Sequence, residues 1–309
     1  MLKYILKRLA YMAVTLWVVI TITFFLMHAI PGDPLSSLAK KLPAQTRANY
    51  YAKYGLDKSL GEQYVIYLNN LLHGDLGESL KYPGREVKSE IFKYAPATAR
   101  LGLQAVSVGF VLGIVLGMAA AFKRNKWPDF LVTSAALLGV SVPSFVMAAL
   151  LQYIFAVKNN WLPATGWGGF AFTVLPTIAL SISVLAIFAR VMRASTLDVI
   201  GQDYIMTAKA KGADGPSFVW RHVARNAVLP PVTLLGPQIA GIITGSFVIE
   251  NIFAIPGIGS NFVTSVFNRD YTMIMGMTIF YAVVYMAALL LVDIAYAFID
   301  PRIRLYGRQ

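Results

Sequence analysis

The sequence has no cysteine and only three histidines, His28, His73 and His222, far apart along the chain. The first absence excludes disulfides, thiolate metal sites and thiol nucleophiles. The second leaves no histidine cluster for a metal or a proton relay. Charge is scarce too: 14% of residues are charged, against about 25% in an ordinary soluble domain, and 57% are hydrophobic. That imbalance excludes both a free cytosolic enzyme and a disordered chain. No G-x-x-x-x-G-K-[ST] phosphate loop, HExxH or GxSxG occurs, so nucleotide hydrolysis, zinc proteolysis and serine hydrolysis have no recognisable centre. Gly257 and Gly259 lack the third glycine of a dinucleotide fingerprint. The expectation is a chain that catalyses nothing and binds no cofactor or metal of its own.

What the sequence has is long apolar runs. Windows at 9–30, 100–122, 131–157, 172–192, 229–250 and 273–298 reach or exceed the roughly 18 residues that mark a membrane-spanning helix. The expected fold is therefore an all-α integral membrane protein with six transmembrane helices. It divides into a cytoplasmic tip with the first helix (1–30), a long extracytoplasmic segment (31–99) and a core of five helices (100–309). Twenty-seven Lys and Arg against 15 Asp and Glu leave a net charge of +12. In a soluble protein that excess would suggest nucleic acid; in this chain it reports topology. Lys3, Lys7, Arg8, Lys123, Arg124 and Lys126 flank the first two spans on one side. Arg190, Arg193, Lys209, Lys211, Arg221, Arg225, Arg302, Arg304 and Arg308 fall on the same side, while the opposite short connections carry only Lys158 and Arg269. Both termini and the loop 194–228 are thus expected in the cytoplasm. The first span exceeds a signal-peptide core and has no A-x-A-like cleavage site after it, which makes it an uncleaved anchor. In the outer segment, Tyr64, Val65, Leu68, Leu71 and Leu72 recur at helical spacing and predict a short amphipathic helix.

Small and polar residues interrupt the spans. Gly109, Gly113 and Gly117, and again Gly241 and Gly245, form faces that permit close helix approach. Such faces serve packing inside one subunit, meet a second one or line a pore. Pro237 predicts a kink, and Gly139, Ser141, Pro143 and Ser144 predict a broken third span that either lines a cavity or merely bends. Ionisable residues avoid the span centres: Glu250 closes the fifth span, and Asp293 lies within reach of Arg302, Arg304 or a neighbouring helix. An ion-coupled carrier normally needs charged or unwound sites near the midplane, so the energy source is expected outside this chain. In the loop 194–228, residues Asp198 to Lys211 predict a short helix ended by Gly212. Its small residues and its cations Lys209, Lys211, Arg221 and Arg225 suit a partner protein or anionic headgroups.

At this loop the segment DYIMTAKAKGADGPSFVWRHVARNAVLP resembles the EAA-type loop of ABC importer permeases, in the longer form of the dipeptide/oligopeptide permease family. Met206 stands where that motif's glutamate would be. HAIPGDP, GDLGES at 74–79, GVSVPSF at 139–145, IENIFAIPGIG at 249–259, NRDY at 268–271 and LVDIAYAFIDPRIR at 291–304 extend the resemblance along nearly the whole chain. It implies a type I ABC importer permease of the B type, multi-pass in a bacterial cell membrane. The expected partners are a homologous second permease, two ATPase subunits that bind ATP and Mg, and an extracytoplasmic peptide-binding protein; no nucleic acid is expected. It further implies that Tyr204, Thr207, Ala208, Lys209, Ala210, Lys211 and Gly212 couple the chain to an ATPase. Trp161, Trp167, Phe253, Pro256 and Tyr271 in the outer loops would meet the binding protein or anchor at the membrane interface. Ser141, Ser144, Gln152, Gln238, Thr244 and Ser246 would line the passage or serve as interhelical hydrogen bonds. The expected cargo is dipeptides or oligopeptides. Within the family, a nickel chelate, glutathione or a short sugar is the alternative, and an ion-coupled secondary transporter is the rival from another class.

Overall fold

Apolar residues at helical spacing become helices in the computed structural model, which describes residues 2–29, 43–53 and 55–299. In chain order these are α1 (Leu2–Ala29), α2 (Ala44–Lys53), α3 (Leu60–Leu72), α4 (Val87–Phe122), α5 (Trp127–Ser141), α6 (Ser144–Leu151), α7 (Ala171–Ile200) and α8 (Asp203–Ala210). They continue with α9 (Gly215–Phe218), α10 (Arg225–Ala227), α11 (Leu229–Thr233), α12 (Leu235–Gly245), α13 (Phe247–Ile252), α14 (Ile258–Asn268) and α15 (Tyr271–Ile299). Wider π-helical turns follow α6 (Gln152–Lys158) and α9 (Val219–Ala224). Among the described residues there is no strand, only an isolated bridge between Glu78 and Glu86.

Among the described residues, four helical stretches are long and apolar enough to cross a bilayer: Ile5–Ala29, Val87–Phe122, Ala171–Ile200 and Tyr271–Ile294. A fifth candidate is the pair Trp127–Ser141 and Ser144–Lys158, bent by 103° at its break. The bend follows from proline sterics: Pro143 offers no N–H and pushes Val142 out of the helical region, to φ −85° and ψ 121°. The second span departs from expectation by starting at Val87 rather than near 100, with Pro96 inside the helix. The window 229–250 departs further, as α11, α12 and α13 instead of one helix. Pro230, Pro231 and Pro237 each remove a backbone donor there. The junction residues Leu234 (φ −84°, ψ −10°) and Ser246 (φ −80°, ψ −1°) keep right-handed torsions, so the breaks are loosened turns rather than loops.

The described chain divides into two compact units, 97–256 with 285–299, and 2–96 with 257–284. In the first, Leu101 and Ala105 of α4 pack with Leu175, Val184 and Phe188 of α7 and with Ile249 and Phe253. The glycine face of α4 makes that approach possible. A Cβ on Gly109 would lie 2.7 Å from the Val184 side chain, one on Gly113 would lie 2.6 Å from Phe188, and one on Gly117 would strike the Ala189 carbonyl oxygen. This face therefore serves packing inside the chain, whereas a Cβ on Gly241 would meet nothing within 4 Å.

In the second unit the amphipathic helix expected within 31–99 is α3. Ser59 caps it reciprocally with Glu62, whose carboxyl is held below the usual range by the hydrogen bonds from Ser59. Its faces divide differently from the periodic expectation: Tyr64 and Tyr67 pack against Phe24, while Val65 and Leu72 are exposed. The motifs GDLGES and NRDY meet here. Asp270, only 1% exposed, accepts hydrogen bonds from Ser79 Oγ and Leu80 N (3.1 Å) and one from Met273 N (3.4 Å) at the start of α15. Asp270→Ala is expected to cost about 1–3 kcal/mol for each buried donor it orphans. The loss is read as faster protease cleavage of the segment around Ser79 in intact membranes, and an unchanged cleavage rate would contradict it.

Candidate functional site

The loop that follows α7 does not continue the helix from Asp198, as periodicity alone suggests. α7 ends at Ile200, Gln202 turns extended (φ −80°, ψ 147°), and α8 starts afresh at Asp203. The one fully buried side chain of α8 is Ile205, 1% exposed, which packs with Phe218 and Val223. Ala208 leans on the same cluster, while Tyr204, Met206, Thr207, Lys209, Ala210 and Lys211 are exposed. Tyr204 Oη accepts from Asn226 Nδ2 at 3.0 Å, Thr207 Oγ1 donates to the Asp203 carbonyl at 3.0 Å, and Lys209 Nζ lies 5.7 Å from the Phe218 ring centre. Gly212 (φ +81°) closes the helix in the left-handed conformation, with Gly212 N bonded to Lys209 O at 2.9 Å and Ala213 N to Ala208 O at 3.0 Å. These two bonds form a Schellman cap. The result is a one-sided helix, pinned by an isoleucine beneath and presenting a small-residue, cationic surface outward.

The residues expected along a passage have varied surroundings. Ser141 is exposed and donates to the Leu137 carbonyl of its own helix at 2.8 Å; Ser144 is half-buried at the start of α6. Gln152 Nε2 donates to the Ala164 carbonyl at 2.8 Å and to the Ile252 carbonyl at 3.1 Å, tying the π-helical turn to the loop before α7 and to the end of α13. Gln238 is half-buried. Ser246 is fully buried and donates to Glu250 Oε1 at 2.8 Å, as Thr98 Oγ1 does at 2.7 Å. The side chain of Thr244, and residues Arg302 and Arg304 offered as partners of Asp293, lie outside what the structure describes.

The one ion pair seen in full among the described residues, Asp129 with Arg193, was not singled out by sequence patterning. Asp129, in the first turn of α5, receives Arg193 of α7 in a bidentate pair, with Nε to Oδ1 at 2.5 Å and Nη2 to Oδ2 at 2.7 Å. Asn125 N adds a third bond at 3.0 Å. Arg193, counted in the sequence among the cations that mark the cytoplasmic side, is thus neutralised. A lone acid at the start of an apolar run, among Lys123, Arg124 and Lys126, was the available signal.

Residues 113–305 match the family described as "Binding-protein-dependent transport system inner membrane component", and residues 1–82 match the N-terminal region of such membrane components. The chain belongs to this family. It is 44% identical to the dipeptide transport system permease protein DppB of Bacillus subtilis, with all of both chains covered. Against the oligopeptide transport system permease protein OppB of Haemophilus influenzae the identity is 44%, and against OppB of Escherichia coli K12 it is 42%; each alignment covers 98% of this chain and 100% of the relative. A chain from the crystal structure of an amino acid ABC transporter with histidines shares the fold at TM-score 0.50 and 16% identity, covering 70% of this chain and 94% of that one. Family membership and the apolar helices together make this a multi-pass membrane component of a transport system.

Proposed function

We propose that this chain is the B-type permease subunit of a type I ABC importer that carries dipeptides or oligopeptides inward, beside a homologous second permease. Two ATPase subunits supply the energy by hydrolysing ATP with Mg, and an extracytoplasmic binding protein delivers the peptide. The observation that carries the reading is identity of 44% across the whole length of a dipeptide permease. In this reading α11 to α13 form one bent crossing, which makes six, and both termini face the cytoplasm. α8 is the coupling helix: its outward face, with Tyr204, Thr207, Ala210 and the cations Lys209 and Lys211, seats in the ATPase. Ser144 and Gln238, with Ser141 and Thr244, border the passage, while Gln152 and Ser246 brace its walls.

Tagging the chain and purifying it in mild detergent from native membranes tests the assembly. Recovery of a second permease and one or two ATPases is expected. Peptide uptake that survives deletion of the chain, or that collapses with an uncoupler while ATP stays high, would sink the proposal. Gly212→Val tests the coupling role. A Cβ there meets no atom within 4 Å, so the substitution acts only by opposing φ +81°. It should cost about 1–2 kcal/mol at the helix end and weaken ATPase retention about tenfold. Full retention and uptake in that variant would remove α8 from the coupling role.

A further inference from the structure

The turn between α4 and α5, inside the first compact unit, concentrates positive charge on an exposed surface. Lys123, Arg124 and Lys126 all reach solvent, and among the described residues none of their side chains makes a hydrogen bond or an ion pair. The nearest carboxylate in the chain, Asp129, is already committed to Arg193 and to Asn125 N. Lys126 N closes the turn on Lys123 O at 2.9 Å, and Asn125 takes φ +60°, a left-handed conformation that asparagine tolerates better than most side chains. The three cations are therefore displayed from a tied-down backbone. The coupling loop differs in kind: its Lys209, Lys211, Arg221 and Arg225 alternate with exposed Asp198, Asp203 and Asp214. Mixed signs suit a protein surface, whereas cations alone suit an anionic one.

What lies beside the cations selects the ligand. α5 turns Asp129 and Gly139 toward α7, where a Cβ on Gly139 would lie 3.0 Å from Ile182. Its other side faces outward: Trp127, Phe130, Leu131, Leu137 and Leu138 fall on one helical stripe, each at least 57% exposed. Trp127, at 73%, stands where the stripe meets the cations, the place a tryptophan takes between hydrocarbon and headgroups. A soluble anion would match only the cations, and a cytoplasmic protein would not reach along an apolar stripe sunk in the bilayer. A ligand that matches both carries negative charge next to hydrocarbon. We propose that Lys123, Arg124 and Lys126 bind the phosphate headgroup of an anionic phospholipid whose acyl chains lie along the outward face of α5. Binding requires only that α5 lie in the bilayer; that the leaflet is the cytoplasmic one rests on the topology proposed above.

The test uses the purified complex in mild detergent, with lipid adducts followed by native mass spectrometry during titration with phosphatidylglycerol or with phosphatidylcholine of the same acyl chains. Phosphatidylglycerol is expected to bind at least about tenfold more tightly. The double variant Lys123→Gln with Arg124→Gln should weaken that binding about twentyfold, near fivefold for each cation lost at an anionic surface. The exchange Lys123→Arg with Arg124→Lys keeps the charge and should keep the lipid. Arg221→Gln with Arg225→Gln removes as much charge from the coupling loop and should leave the lipid bound. Equal binding of the two lipids overturns the proposal, as do equal losses in the two Gln double variants, which would mark diffuse surface charge. Displacement of phosphatidylglycerol by inorganic phosphate or by tail-free glycerophosphoglycerol also overturns it, reassigning the turn to a soluble anion. Loss of an ATPase subunit from the Lys123 and Arg124 Gln variant with lipid binding intact would assign the turn to a protein partner instead.

Discussion

Asp129→Ala is expected to destabilise the folded chain by about 1.5–3 kcal/mol, the range for losing a hydrogen bond between charged groups. The Asp129 side chain is 6% exposed and Arg193 28%, so the deletion leaves a half-buried guanidinium with no carboxylate to meet it. The pair joins the start of α5 to α7 about two turns before α7 ends and α8 begins. The measurement is the temperature at which detergent-solubilised chain loses its monodisperse elution peak. The exchanged double variant, Asp129→Arg with Arg193→Asp, should recover part of the loss, since the attraction survives although the Asn125 bond does not. A single variant as heat-stable as the parent would show that the pair contributes nothing.

The second large effect is expected at Gly117→Val. The group in the way is the Ala189 carbonyl of α7, and backbone cannot rotate aside as a side chain can. Separating α4 from α7 also parts Gly113 from Phe188, whose ring meets Phe110 edge-on at 5.0 Å between centroids. Overpacking of this kind costs about 1–3 kcal/mol when side chains can yield, which sets a lower bound here. Gly241→Val provides the contrast: with open space at its Cβ, it should leave the chain's own stability within about 0.5 kcal/mol. Equal losses in the two variants would refute the assignment of the α4 face to internal packing.

Sequence patterning reached far for the helices because a bilayer admits so few solutions. Four expected spans correspond to continuous helices, and Pro143 announced the bend in a fifth. It reached less far where the signal was degenerate. Residues 152–158 read as ordinary helix at the end of the third span, since a slightly wider turn leaves the apolar pattern almost unchanged, and 219–224 read only as part of the loop 194–228. The window 229–250 read as one span kinked at Pro237, whereas the breaks fall at Leu234 and Ser246, because hydropathy averages over residues and does not locate them. α8 was legible through Gly212, the one residue type that suits a left-handed stop, yet its start was placed too early because nothing marks Gly201 and Gln202 as a break. Asp129 with Arg193, and Glu250 with Thr98 and Ser246, were invisible as partnerships. Their members stand far apart in the chain, and periodicity relates only near neighbours.

The bond between Ser79 and Asp270 closes a loop of 191 positions. At a synthesis rate of about 5–20 residues per second, Ser79 leaves the ribosome roughly ten to forty seconds before its acceptor exists. During that interval the turn around Ser79 lacks the carboxylate that later gathers it, while the second to fifth hydrophobic windows are still being made. The second unit is therefore finished late, by the start of the last long helix. A ribosome stalled or a chain cut before Asp270 leaves that unit open, and open backbone is what proteases of a quality-control system cleave first.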